Sequence, residues 1–527
     1  MRKLFPLTFC LLFLFVPASV RAGDPILRPA DRVIFIGDSI TARGGLQDGT
    51  WGWVALINRA LKEKDAANKQ TLVTLGGSGQ TVESWLNIET NSRTAPTFLD
   101  LKAFDVQAEL GRPADVVVIM LGMNEVGAPR IQDVPESYAK WIGNYRTLIK
   151  SVRERTNPRV VILATPTPCT ENPESPKNQV LDKMVAELKK MAKEDGCLVA
   201  PTRDTAWAVL HQGRRERPDF HITDDQIHPN SIGCMAIAAG MLRGLGEEDA
   251  AKKVLEKLSA ETREKSPQGL SYEVSLTPDQ KPSPTLQFRI RAYHSKDKAE
   301  LDLPEGWKIA STKSSPGETE FTVTGAPDHL INRIGLRAGQ QSFTIQIPAP
   351  WLVGTGNVGW QGWHGGTFDP QLAKLPTDDV IRTGTGIAEA MAHMELKAGV
   401  PVTWKIFVEG INSTGAGDPG ALDFSAVTYY LGGEVGYGLR WISSDRDRPV
   451  TVKASRIGKP ALAVWLNGES VFSNESATSE IKSTLKKGWN LLSFKSNYQA
   501  WGWQFAINLK PAEGDNLDDL RYSVVPR

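Results

Sequence analysis

Between residue 30 and about residue 245 the chain alternates short unbroken apolar runs with longer stretches in which apolar residues recur every three or four positions. The runs are RVIFIG (32–37), TLVTLG (71–76), DVVVIMLG (115–122), RVVILATP (159–166) and CLVAPT (197–202). Rich in Val, Ile and Leu and lacking polar alternation, they read as strands buried on both faces. The stretches between them, such as WVALINRALKEK (53–64), ESYAKWIGNYRTLIKSVRER (136–155) and NQVLDKMVAELKKMAKED (178–195), read as helices covering those faces. The pattern predicts a three-layer parallel α/β domain.

The rhythm changes after a charged helical stretch that ends in a Ser-Pro break at residues 266–267. Short alternating runs such as SYEVSLT (271–277), TLQFRIRAY (285–293) and SFTIQIPAP (342–350) follow, separated by Pro, Gly and charged turns, and predict a small β-sandwich. From Trp351 onward, VTWKIFVEG, ALAVWLNGESVF and WNLLSFKSNYQAWGWQFAINLKP predict a second, larger sandwich or jelly roll. The expected division is 23–265, 266–350 and 351–527, behind a leader at 1–22.

That leader has a basic start (Arg2, Lys3), an apolar run and a small-residue cleavage site at Val20-Arg21-Ala22, the marks of a signal peptide. It predicts export to the periplasm or the extracellular space. A lipoprotein anchor at Cys10 is the rival, and Phe9 lacks the small size such a site needs. No later run reaches the length of a transmembrane helix. Three cysteines, Cys169, Cys197 and Cys234, remain after the leader; Cys169 and Cys197 are expected at opposite ends of a parallel sheet, so no disulfide framework is expected. With 61 Lys plus Arg against 60 Asp plus Glu there is no net field to draw nucleic acid.

The chemistry gathers at the ends of the predicted strands. The first runs into Gly37-Asp38-Ser39 and sets a hydroxyl at the carboxyl edge of the sheet, where open α/β folds place their sites. A serine hydroxyl needs a base, a group to orient the base, and donors for a developing oxyanion. TDDQIHPN (223–230) supplies His228 with Asp225 three residues earlier on one loop, Asp224 being the less suitable alternative. LGGSGQT (75–81) offers the backbone N–H of Gly79, and MLGMNE (120–125) offers the side-chain amide of Asn124; the N–H of Ser39 makes a third donor. Each piece alone has a plain structural reading: Ser39 a helix cap, His228 a solvated loop residue, Asn124 a turn former. All would have to be accidents in the same order.

Gly37-Asp38-Ser39, Gly79, Gly122-Met123-Asn124 and Asp225-Gln226-Ile227-His228 resemble the four ordered blocks of the SGNH (GDSL-type) hydrolases, over roughly residues 30–245. The resemblance implies a flavodoxin-like fold with strand order 2-1-3-4-5 and ester or deacetylation chemistry on lipids or carbohydrates. It implies Ser39 as nucleophile, His228 as base, Asp225 as its partner, and Ser39, Gly79 and Asn124 as the oxyanion hole. Glu125 stands where many relatives carry aspartate, with little effect on chemistry expected.

Asp38 is expected to shape the turn, and His211 and His221 to be structural or exposed. No cluster of ligands has metal spacing, so neither metal nor cofactor is expected. Ten of the fifteen tryptophans lie beyond residue 300. Trp360, Trp363, Trp501 and Trp503 are candidates for stacking on sugars, with a core role the favoured reading. ALAVWLNGESVF and the later KKGWNLLSFK resemble jelly-roll modules appended to glycoside hydrolases, and AELDLPEGWKI (299–309) is similar to immunoglobulin-like accessory domains. Together these features predict an exported serine esterase acting on acylated carbohydrate, chiefly O-acetyl esters. The alternatives are a lipase or lysophospholipase and a non-catalytic glycan-binding protein. The lack of a long apolar insertion between the blocks favours a short acyl chain.

Overall fold

A computed structural model describes residues 25–44, 52–90, 106–127, 130–217, 220–264, 270–294, 298–357, 376–408, 420–429, 434–457, 461–472, 478–497 and 503–526. The expected signal peptide, Cys10, Trp360, Trp363 and Trp501 lie outside these residues.

Strands β1 (Arg32–Gly37), β2 (Thr71–Gly76), β3 (Val116–Met120), β4 (Val160–Ala164) and β5 (Leu198–Ala200) form one parallel sheet in the order 2-1-3-4-5, the flavodoxin-like order. The first two strands fill their apolar runs completely. The other three stop short of theirs, because Pro166 and Pro201 have no N–H for a ladder and Gly122 turns away at φ 135°.

Among the described residues, ten helices surround the sheet: α1 (Ser39–Arg43), α2 (Trp53–Lys64), α3 (Val82–Thr90), α4 (Val106–Leu110), α5 (Met123–Gly127), α6 (Pro135–Thr156), α7 (Pro176–Glu194), α8 (Thr202–Glu216), α9 (Ser231–Gly244) and α10 (Glu248–Glu264). The group α2, α8, α9 and α10 packs together, and so does the group α3, α5, α6 and α7. Helix α9 is apolar on nearly every side because α2, α8, α10 and β5 all press on it. Val33, Phe35, Val117, Ile119, Val161 and Leu163 are buried in the main core that results, and Ala206, Leu210, Phe220, Ile222 and Ala236 form a smaller one.

Beyond α10 the described strands pair antiparallel. Strands β6 (Leu270–Leu276), β7 (Leu286–His294), β8 (Ala299–Asp302), β9 (Lys308–Ser315), β10 (Glu318–Gly325), β11 (Ile331–Ala338) and β12 (Gln341–Pro348) form two sheets, 6-7-10-9 and 12-11-8. Phe288, Ile290 and Val323 of one sheet meet Ile334, Leu336 and Ile345 of the other in a shared core. From Trp351, among the described residues, an eight-stranded and a four-stranded sheet enclose Trp351, Val353, Val452, Phe494, Trp503 and Phe505.

The strand-only expectation for this last region omits two helices, Pro376–Thr383 and Ile387–His393. Leu352, between the inward Trp351 and Val353, faces the other way and is also buried; Ile381, Ile387 and Met391 cover it together with Val402, Trp404 and Tyr437. A strand apolar on both faces requires a second layer. Trp503 is fully buried in the core.

Candidate active site

The three strand ends stand side by side. Gly37 is in register with Gly76 of β2 and Met120 of β3, so Ser39, Gly79 and Asn124 follow one rung of the sheet by two to four residues. Gly37 is pinned by close approach: a Cβ there would lie 2.1 Å from Thr41 Oγ1 and 2.8 Å from the Met120 carbonyl. Asp38 caps the short helix α1 by accepting from the Ile40 amide at 2.9 Å, which leaves Ser39 as its first residue. Asp38, not Ser39, is therefore the cap.

Ser39 Oγ lies 2.9 Å from His228 Nε2, and His228 Nδ1 lies 2.6 Å from Asp225 Oδ2. The other oxygen of Asp225 accepts the amides of His228 at 2.7 Å and Ile227 at 3.1 Å. Partial burial pushes the Asp225 carboxyl up, but the hydrogen bonds from the His228 amide, the His228 ring and the Ile227 amide outweigh it and hold it below the usual range. Asp224 instead uses its amide to close the loop, donating to the His228 carbonyl at 3.0 Å. The loop is tight enough to hold Gln226 at φ 72° and to pair Thr223 with Pro229.

Gly79 sits at φ 73°, a backbone conformation glycine adopts without strain, and its carbonyl accepts from Arg130 Nη1 at 3.3 Å. Asn124 donates one amide hydrogen to the Gln80 carbonyl at 3.0 Å, and a primary amide has a second to offer. Glu125 is fully buried and ties two helices together: Oε1 accepts from the Val82 amide at 2.8 Å and from Trp141 Nε1 at 3.1 Å. Burial raises its pKa. Burial likewise pushes the Asp38 carboxyl up to about 7, against the Ile40 hydrogen bond and with the help of the Glu125 charge.

One residue of the site has no counterpart in the sequence reading. Glu171, beyond the end of β4, is buried beneath the Asp225–His228 loop. Its Oε1 accepts from the amides of Ile222 (2.8 Å) and Thr223 (2.9 Å) and from Thr223 Oγ1 (2.7 Å), while its Oε2 meets His221 Nδ1 (2.7 Å) and Arg214 Nη2 (2.9 Å). Burial pushes its carboxyl up, and the His221, Thr223 and Ile222 hydrogen bonds together with the Arg214 charge bring it below the ordinary value. The signal in the sequence was a carboxylate past a strand end, with no fixed spacing to its partners. His221 is thus structural and partly exposed; His211 lies against Trp207 and 3.7 Å from Glu273.

Cys169, Cys197 and Cys234 are free and buried, and burial pushes the Cys234 thiol up to about 11. Among the described residues no group of three or more His, Cys, Asp or Glu could hold a metal ion, and no helix is long and apolar enough to cross a membrane.

Residues 35–235 match the sequence model of the GDSL-like Lipase/Acylhydrolase family. An acetylxylan esterase of Geobacillus stearothermophilus is 27% identical over 230 residues, which are 41% of this chain and 95% of that protein. Among solved structures, the Axe2 acetylxylan esterase of the same organism shares 25% identity over 41% of this chain and 94% of its own (TM-score 0.31). LAE5, an alpha/beta hydrolase enzyme from the metagenome of Lake Arreo, shares 24% over 43% and 99% (TM-score 0.34). Residues 35–235 are accordingly a domain of the GDSL-like lipase/acylhydrolase family, and the enzyme is a hydrolase of ester bonds.

Proposed function

We propose that the protein is an exported serine esterase that removes O-acetyl groups from carbohydrate, with residues 23–265 as the catalytic unit and 266–350 and 351–527 as accessory units. The observation that carries the reading is His228 placed between Ser39 and Asp225, at 2.9 and 2.6 Å.

Ser39 Oγ attacks the ester carbonyl as His228 Nε2 takes its proton, and Asp225 stabilises the imidazolium through Nδ1. The new C–O bond pushes an electron pair onto the carbonyl oxygen, which the N–H groups of Ser39 and Gly79 and the amide of Asn124 receive. Donors of this kind contribute about 3–4 kcal/mol each. The intermediate expels the alcohol, which leaves with the proton from His228. Water, deprotonated by His228, then attacks the acyl-enzyme and frees the acid and Ser39. The acetylxylan esterase relative supports an acetylated carbohydrate as substrate.

The test is acetate release from p-nitrophenyl acetate and acetylated xylan by the mature protein, Ser39→Ala and His228→Ala. The reading expects activity on both substrates, lost in both variants. Activity on the small ester alone would move the substrate toward lipids or other glycans. A folded protein inert on both would favour a glycan-binding role.

A further inference from the structure

Tyr429, in the C-terminal β-rich region, packs against the catalytic domain. Tyr429 follows the strand Ala421–Asp423 and the turn Phe424–Ala426, a turn that packs on α7. Its ring lies against the core of the parallel-sheet domain. Its hydroxyl is 2.8 Å from the Ile131 carbonyl and 3.4 Å from the Glu125 carbonyl, so one proton is directed at two carbonyls, one within α5 and one beyond it. Burial raises the phenol's pKa, which keeps it a donor.

Both side-chain supports of the oxyanion side adjoin these carbonyls, Asn124 within α5 and Arg130 beyond it. Asn124 directly precedes Glu125. Arg130 donates its amide to the same Glu125 carbonyl at 2.8 Å and its guanidinium to the Gly79 carbonyl at 3.3 Å. The path from the appended region to the proposed donors is therefore short: the Tyr429 hydroxyl, the Glu125 and Ile131 carbonyls, then Asn124 in one direction and Arg130 and Gly79 in the other.

We propose that Tyr429 is a positioning residue for ester hydrolysis, through which the C-terminal β-rich region holds the Glu125 and Ile131 carbonyls and with them Asn124, Arg130 and Gly79. This rests on the serine esterase reading above. The Glu125 carbonyl belongs to the residue that follows Asn124 and accepts the Arg130 amide, so its displacement reaches both, and small misplacements of oxyanion donors are costly in rate rather than in substrate affinity.

The experiment uses the full mature chain and p-nitrophenyl acetate, with Tyr429→Phe, Arg130→Ala and the double variant, each checked for folding by thermal melting. Ser39-dependent activity in the parent comes first; its absence would remove the esterase reading itself. Given that activity, the expected result is a kcat about tenfold lower in Tyr429→Phe with KM within about twofold, a similar loss in Arg130→Ala, and a double variant no worse than the weaker single. An unchanged kcat in a folded Tyr429→Phe, a loss confined to KM, or fully additive losses would overturn the proposal. Arg130 is exposed, so Arg130→Ala reads the same support of Gly79 if Tyr429→Phe does not fold; unchanged kcat there also overturns it.

Discussion

Asp225 grips His228 at two points, the ring Nδ1 at 2.6 Å and the backbone amide at 2.7 Å, from only three residues away. The carboxylate therefore sets both the tautomer of the imidazole and the shape of the loop that carries it. Asp224, one residue earlier, takes part only through its backbone amide.

Replacing Asp225 by Asn turns a donor or a weaker acceptor toward Nδ1. We expect Asp225→Asn to lower kcat by on the order of 10³–10⁴, whereas Asp224→Asn stays within a few-fold of the parent. Steady-state kinetics on p-nitrophenyl acetate separate the two assignments, and equal losses in both variants would refute this one.

Glu171 anchors the same loop from below. Glu171→Gln can keep the Oε1 bonds to Ile222 and Thr223 but turns an NH₂ group toward Arg214. Arg214 keeps its bonds to the Glu171 and Phe220 carbonyls but loses the carboxylate, and removing one partner of a largely buried ion pair destabilises, so the variant melts below the parent at pH 7. The pKa of Glu171 is lowered on folding, so its contribution is complete above the ordinary carboxylate range and is lost as pH falls through the folded value. The gap in melting temperature narrows in acid; a gap that does not change with pH would show that the charge is not what holds the loop.

Asp38 has the opposite sign. Its pKa rises from 3.8 to about 7 on folding, so the parent loses stability as pH increases through that interval. Asn keeps the acceptor for the Ile40 amide without the charge. Asp38→Asn should gain on the parent between pH 4 and pH 7, by on the order of 4 kcal/mol at most, at about 1.4 kcal/mol per pKa unit. Melting curves across that range check the direction.

Two glycines in the site are required for different reasons. A Cβ at Gly79 meets nothing within 4 Å, so Gly79→Ala carries only the strain of φ 73°, about 1–2 kcal/mol, and folds with reduced kcat. Gly37→Ala meets the Met120 carbonyl, which the sheet holds in place, and is expected to lose most of its folded yield. Denaturant midpoints of the two variants test the distinction.

The parallel sheet, its strand order implied by the family resemblance, and the four blocks at its edge were legible along the chain. Strands buried on both faces write themselves as unbroken apolar runs, and Asp225 and His228 belong to one loop. The antiparallel sheets beyond α10 were legible for the same local reason, through alternation and turns. What was not legible depends on contacts between distant segments. Glu171 meets His221 across 50 residues, Glu125 reaches the Val82 amide across 43, and Tyr429 touches Ile131 across 298. The two helices over the large sheet answer to a second apolar face that no single run reveals. Such pairings have no period and no spacing: burial selects them once the layers are packed, because a polar group enclosed there must find whichever partner the fold has brought within 3 Å.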